Sequence, residues 1–402
     1  MTLEQLKNLR DSNVEGVNLV SHTSSVEARG SLAVHRGFSI DLNIPKLLFC
    51  RSKSIDALIN QNVSRYLSFS SVKSLFVRML DGSELTIPTT RGSIFQDKGL
   101  KLNEKRALMN LFKLAGETSS SAVTSAAYSC SNSERVTDVN KSDRAIDFLK
   151  HNAKIERPEL ISGIIHGACL YPHSGESMTV GDLLDRLSKF LISLNQYEEG
   201  APFLVPMYGN SDIPQAFART AAVHGALYIL SCDKTQLWAE LQTKSSVVPQ
   251  KLSCESRSDS HAYHGIACFK NKDGDSMDAS LHVFHPTTLN DSPVYALSLP
   301  CKGGIGGGPQ MCPEGHTLVH FIKLTESTQP NLLKEEMMSF LSERDVMFET
   351  ILSLDSIDTD PFSLDTEFEE ARMTFNKVMK IASNEPLPHP PTPAVVPDQD
   401  DV

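Results

Sequence analysis

The sequence predicts an α/β protein in which a β-rich domain is interrupted by an all-helical block. Three observations carry that expectation. SVKSLFVRMLDGSELTIP reads as a β-hairpin, two β-rich runs around the turn dipeptide Asp81-Gly82. From Leu102 to Leu194 the apolar residues recur at helical spacing. After Pro202 short β-rich segments return.

Residues 1–35 show weak periodicity and predict a poorly ordered segment. FSIDLNIPKLLFC then supplies a short apolar run, and SIDALINQNVSRYLSF places Ile55, Leu58 and Ile59 at helical spacing. In LNEKRALMNLFKLA, Leu108, Leu111, Phe112 and Ala115 share one helical face, with Asn103 available as an N-cap. Residues 116–142 are rich in Ser and Thr and predict a flexible insertion. Helical pattern resumes in RAIDFLK and in ERPELISGIIHGACL, where Pro158 suits a first turn. Thr179 with Asp182 makes a start of capping-box type for a broad stripe of Val180, Leu183, Leu184, Leu187, Phe190, Leu191 and Leu194.

PFLVPMYG predicts an extended entry whose prolines keep it out of a central strand. GNSDIP is a turn that Asp212 can follow as a cap. QAFARTAAVHGA predicts a helix with Phe217, Ala221 and His224 on one face, and LYIL a strand. Asp212 and Arg219 are seven residues apart, about two turns, and so fall on one side of that helix. AYHGIACF, SLHVFH, PVYALSLP and HTLVHFIKL predict strands, FEEARMTFNKVMKIA a helix, and the Pro-rich acidic residues 381–402 a disordered tail.

Composition narrows the function. The chain has 402 residues, enough for two or three domains, and 40% hydrophobic residues, ordinary for a soluble globular protein. Its 38 basic and 49 acidic side chains give a net charge of −11, which argues against a nucleic-acid footprint. The N-terminus lacks the apolar core of a secretory signal, and no run is long enough to span a membrane. Eight scattered cysteines without a CxxC pair predict reduced structural thiols in a cytosolic protein.

The chemistry-bearing motifs mostly fail. CKGGIGGGPQ stands between two predicted strands, whereas a nucleotide loop opens a helix, so it predicts a strand connection and no nucleotide site. His261 with His264, and His282 with His285, put each pair on opposite faces of a strand, so no metal site is expected. His22, His166 and Cys169 suggest no triad. The acidic run DSIDTDPFSLDTEFEE has Pro361 and Phe362 where a calcium loop needs glycine, and predicts a solvated connector.

The segment PMYGNSDIPQAFAR resembles the signature P-L-Y-G-x-G-E-L-P-Q-x-F-x-R of the Rab GDP-dissociation inhibitor and Rab escort protein superfamily. FSIDLNIPKLLFC is similar to its N-[IV]-D-L-x-P-K-x-L segment, and NVSRYLSF to its [NT]-V-[ST]-R-Y-x-x-F. TRGSIFQDKGLKLNEKRALMNLFKL resembles the block that opens the helical domain in the escort branch, and GFSIDLNIPKLLFC its plant-like form. The resemblance covers about residues 36–115 and 180–231 and weakens from 250 onward. It implies an FAD/NAD(P)-binding-like domain with mixed sheets, residues 36–96 and 198–380, that uses no cofactor. That domain is interrupted by helical domain II at 97–197.

The resemblance further implies a non-catalytic accessory subunit in the cytosol, whose partners are GDP-bound Rab GTPases, the α/β heterodimer of Rab geranylgeranyltransferase and the geranylgeranyl lipid of the Rab tail. Delivery to membranes would be transient. By position, Asp212, Gln215, Arg219, Ile229 and Arg36 match the Rab-binding platform. Leu108, Leu111, Phe112, Leu187 and Leu191 would line the prenyl side of domain II. A GDP-dissociation inhibitor recycling prenylated Rabs is the alternative within the superfamily. A flavin-dependent oxidoreductase is the alternative from another class, and it needs an FAD loop the sequence lacks. No glycine loop of the superfamily's kind precedes Arg36, so the first domain is expected to lack its opening βαβ unit. The signature's acid is the shorter Asp212, Leu227 replaces an inhibitor threonine, and Ala145 stands where animal escort proteins carry an aromatic docking residue.

Overall fold

The structure is a computed structural model that describes residues 17–23, 37–79, 81–118, 140–226, 228, 260–286, 292–303, 308–325, 331–357, 360 and 362–379. The elements run β1 (Val17–Thr23), β2 (Leu48–Phe49), α1 (Lys53–Asn60), β3 (Phe69–Val72), β4 (Ser74–Arg78) and β5 (Glu84–Thr86). The helical block follows: α2 (Arg91–Gln96), α3 (Leu102–Thr118), α4 (Ala145–Asp147), α5 (Pro158–Ser162) and α6 (Val180–Ser193). Then come β6 (Phe203–Pro206), α7 (Asp212–Val223), β7 (Ser260–Lys270), β8 (Ser280–Phe284), β9 (Val294–Pro300), β10 (His316–Thr325), α8 (Asn331–Leu341), β11 (Asp345–Ile357) and α9 (Asp365–Met379).

Local chemistry explains the elements that were legible. Gly82 takes φ +82° in the turn of the β4–β5 hairpin, where Asp81 Oδ1 accepts the Ser83 N–H. Thr179 Oγ1 accepts the Asp182 N–H at 3.1 Å and starts α6. Pro158 occupies the first turn of α5. The start of α3 differs from expectation. Asn103 lies inside the helix, and Glu104 reaches back to accept the Lys101 N–H at 2.7 Å, the half of a capping box that a glutamate supplies. The same helix runs to Thr118, into the stretch expected to be flexible; residues 119–139 lie outside the described residues. So does the tail at 381–402.

Among the described residues, two sheets organise the chain. The larger has the order β1-β11-β7-β10-β9-β8-β4-β5, with β4 parallel to β8 and its other neighbours antiparallel. CKGGIGGGPQ joins the adjacent antiparallel strands β9 and β10, as its flanks predict. The smaller sheet has the order β2-β6-β3. PFLVPMYG was expected to stay out of a central strand, yet β6 is the middle strand and fully buried. Pro202 precedes the strand and Pro206 ends it, so Phe203, Leu204 and Val205 keep their N–H groups for the ladder.

Long-range pairing overturns two further expectations. Val17–Thr23 sit within residues 1–35 but add an antiparallel edge to β11, whose backbone supplies what the weak pattern does not. The acidic run 355–370 is no solvated connector. Its first residues end β11, and Asp360 pairs with Arg186 at 2.9 Å. Asp365 accepts the Ser54 N–H at 2.8 Å, Glu367 pairs with Lys46, and Glu369 with Lys53 at 3.3 Å. Phe362 is buried, its ring 4.7 Å from that of Tyr295. The segment therefore straps α9 across α1 and ties it to α6.

The helical block meets the large sheet without a gap. Gly163 and Gly167, in the π-helical turn Gly163–Ala168 that continues α5, lie so close to Ile87 that a Cβ would stand 3.1 and 2.4 Å from its side chain. On the opposite face of the sheet, α8 buries Leu333, Met337, Phe340 and Leu341 against Tyr263, Ala267, Phe321 and their neighbours.

Candidate functional site

Helix α7 emerges from the buried strand β6 through the turn Tyr208–Ser211, so its direction is set by the core. Ser211 is its N-cap residue and makes no side-chain capping bond; Asp212 is its first residue rather than its cap. The expected face of Phe217, Ala221 and His224 is corrected as well. Ile213 and Ala216 are buried and Phe217 is half-buried against Phe368 of α9 at 5.7 Å, while His224 is exposed. That packing turns Asp212, Gln215 and Arg219 outward within an arc of about 60°.

Gln215 and Arg219 are exposed and Asp212 is partly so. Desolvation raises the Asp212 pKa, opposed by a hydrogen bond from the Tyr208 backbone. The Arg219 guanidinium lies over the Tyr66 ring at 4.8 Å, and the Arg65 guanidinium over the same ring at 5.0 Å. Tyr66 closes the 3₁₀ turn Ser64–Tyr66 just before β3, and Met207 N–H donates to the Ser68 carbonyl at 2.9 Å. Ile229 and Arg36 lie outside the described residues, as does Leu227.

The loop before β2 reaches the same turn. Asp41 accepts the Asn210 N–H with both carboxylate oxygens, at 3.0 and 2.9 Å. Asn210 returns two bonds to that loop: its Oδ1 accepts the Lys46 N–H and its Nδ2 donates to the Ile44 carbonyl, each at 2.9 Å. Three separate stretches, IDLNIPK and SRY and, far beyond them in sequence, YGNSDIPQAFAR, thus converge on one surface. Neither Tyr66 nor Asp41 was picked out from sequence as a site residue; the signal was their place inside the quoted motifs.

Burial holds the Asp41 carboxyl at about 6 against an ordinary 3.8, with the Asn210 N–H opposing and the Asp212 charge adding to the rise. The sign follows from linkage. The folded chain takes up this proton at a higher pH than the unfolded chain, so the contribution to stability is present below 3.8 and lost as pH rises through about 6. The loss is at most roughly 3 kcal/mol. His264 and His320, stacked and buried with a 2.9 Å bond between them, act oppositely. Burial lowers both, His264 to about 4, and they cost stability as pH falls below the ordinary imidazole value. Melting curves of wild type and Asp41→Asn between pH 5 and 7.5 isolate the carboxylate. The variant is expected to melt higher at pH 7.5, and the difference to shrink toward pH 5 as the folded-state carboxyl takes up its proton.

In the helical block, Leu108, Leu111 and Phe112 of α3 and Leu187 and Leu191 of α6 are all buried. The Phe112 and Phe190 rings pack at 6.5 Å across the seam between these helices. The seam is closed core in this structure. Ala145, also buried, offers no docking side chain. No group of three or more His, Cys, Asp or Glu among the described residues could hold a metal, and no helix there is long and apolar enough to cross a membrane. His166 lies buried with Nδ1 2.7 Å from the Tyr171 carbonyl, and burial pushes the Cys169 thiol up to about 12, so neither is poised for nucleophilic chemistry.

The model of the GDP dissociation inhibitor family matches residues 12–255. The chain belongs to that family. Rab escort protein 1 of Arabidopsis thaliana is 29% identical over 217 residues, which cover 52% of this chain and 38% of the relative. The Rab geranylgeranyltransferase component A of Saccharomyces cerevisiae is 28% identical over 359 residues, 81% of this chain and 55% of the relative. Human component A 1 is 32% identical over 197 residues, 48% of this chain and 27% of the relative. The chain therefore spans between about a quarter and just over half of the length of these curated relatives. The crystal structure of Rab GDI from Plasmodium falciparum superposes with a TM-score of 0.58 at 13% identity, covering 90% of this chain and 89% of that one, and shares the fold.

Proposed function

We propose that this chain is a Rab escort protein, a non-catalytic and cofactor-free subunit that binds GDP-bound Rab GTPases and slows GDP release. The observation that carries the reading is the convergence of three family motifs on one exposed surface, with Asp212, Gln215 and Arg219 displayed from α7. Ile229 and Arg36 extend that surface. Residues 36–96 with 198–380 form the platform domain, and 97–197 the helical domain.

The helical domain holds the geranylgeranyl chain of the Rab tail along Leu108, Leu111, Phe112, Leu187 and Leu191, and faces the α/β transferase heterodimer. Those side chains are buried, so the lipid enters only when α3 and α6 part. Burying a C20 chain is worth roughly 10 kcal/mol or more. That exceeds the contribution of exposed charges, so the platform provides choice of partner and the lipid site retention. The product is carried through the cytosol and released at membranes. The relatives named for the escort role and for transferase component A favour this over an inhibitor that only recycles prenylated Rabs.

Calorimetry with GDP-loaded and GTP-loaded unprenylated Rab tests the reading. Tighter binding of the GDP form is expected. Equal affinity for both forms, or no binding to either, overturns it. Co-elution of the chain with Rab and the transferase heterodimer separates an escort protein from a recycling inhibitor.

A further inference from the structure

We propose that Asp41 is a positioning residue of the Rab-binding surface: a half-buried carboxylate that clamps the turn Gly209–Asn210 and thereby sets where α7 presents Asp212 and Arg219. The inference rests on the Rab-binding reading for its consequence, but not for its geometry.

Both oxygens of Asp41 are spent on one backbone N–H, that of Asn210, although the two residues are separated by 168 others in sequence. The close approach depends on a glycine in the turn. Gly209 has φ +101°, and a Cβ placed there would meet Asp41 Oδ1 at 3.0 Å and Oδ2 at 3.1 Å. Asn210 is held a second time through its side chain, to Lys46 and Ile44 of the loop that carries Asp41. A parallel tie runs from Ser39 Oγ to the Tyr208 carbonyl at 2.5 Å. The clamped turn feeds directly into the helix: Asp212 N–H donates to the Gly209 carbonyl and Ile213 N–H to the Asn210 carbonyl, each at 3.2 Å. Displacing Asn210 therefore displaces the first turn of α7.

A structural acceptor would not need to be a carboxylate. Among the described residues Asp41 has no cationic side chain paired with it; Lys46, on its own loop, gives its ammonium group to the Ser363 carbonyl and to Glu367. The side-chain charge that acts on it is the like charge of Asp212. A charged group kept in such surroundings lowers stability, and sites that break the stability rules in this way are where function is found. What the charge gives in return is a hydrogen bond to one amide shared by both carboxylate oxygens, stronger than a neutral acceptor makes.

The test compares wild type with Asp41→Asn, which keeps the shape and one acceptor oxygen, and with Gly209→Ala, which disturbs the same turn from the other side. Hydrogen–deuterium exchange is followed by mass spectrometry on peptides covering residues 207–215, with peptides from β7 and β10 as internal references. Exchange in 207–215 is expected to rise about tenfold in both variants, with the references unchanged. The dissociation constant for GDP-loaded Rab is expected to rise about tenfold, with the melting temperature of Asp41→Asn not lowered. Unchanged exchange at 207–215 overturns the proposal, whatever Rab binding does. Weaker Rab binding with unchanged exchange would make Asp41 a direct contact and overturn the positioning role. Faster exchange in the variants, with no Rab bound by wild type, upholds the clamp and brings down the Rab reading instead.

Discussion

Phe190→Ala is expected to lower the unfolding free energy by about 3–5 kcal/mol, the upper range for a single truncation of a buried aromatic ring. The ring is fully buried on α6 and packs 6.5 Å from Phe112 of α3 and 6.0 Å from Phe203 of β6. Phe203 in turn lies 5.0 Å from Phe49 of β2 in an edge-to-face contact. Four rings thus run from the helical block into the smaller sheet, and Phe190 is the link between the two. Removing it costs the transfer energy of the ring, leaves a void that close-packed neighbours fill only in part, and breaks two aromatic contacts. The denaturant midpoint is expected to fall while the slope of the transition stays the same. Leu102→Ala serves as the control. That side chain is 61% exposed at the start of α3, and its loss is expected to change stability by no more than about 0.5 kcal/mol. Equal effects from the two variants would mean that the helical block and the sheet do not share a core.

The same contrast explains how much was legible in the sequence. The β4–β5 hairpin and the start of α6 are specified by residues within four positions of each other, Asp81 to Ser83 and Thr179 to Asp182, and reading them needs no partner. β6 was misjudged because its prolines are conspicuous while the strands on either side of it, β2 and β3, are far away in sequence. β11 went unnoticed although its buried Phe348, Thr350, Leu352 and Leu354 keep a period of two; bulges after Val346 and Leu354 interrupt the pattern at both ends. The acidic run was read as solvated because Lys46, Lys53 and Arg186, which neutralise it, sit more than 170 residues upstream. The platform followed the same rule. Asp212, Gln215 and Arg219 fall on one face by helical arithmetic, but Tyr66 and Asp41 join them only through contacts that no periodicity encodes.

Arg219→Ala is expected to weaken binding of GDP-loaded Rab by at least about thirtyfold, some 2 kcal/mol, while leaving the melting temperature unchanged. An exposed arginine usually contributes little, because ordering its side chain offsets the gain from pairing. Arg219 differs in being already ordered: its guanidinium rests on the Tyr66 ring at 4.8 Å, and its helix is fixed by Ile213 and Ala216 beneath. A guanidinium held over an aromatic face still has N–H groups to offer a carboxylate or carbonyl of a partner. Arg219→Lys is therefore expected to recover only part of the affinity, since an ammonium group neither stacks nor donates in parallel pairs. Asp212→Asn provides the opposite charge change two turns earlier. If both residues meet complementary charges on the Rab, raising the salt from 0.05 to 0.3 M should narrow the gap between wild type and each single variant. Tyr66→Leu separates the two causes. It leaves every charge in place but removes the ring, and a loss approaching that of Arg219→Ala assigns the effect to preorganisation rather than to charge alone.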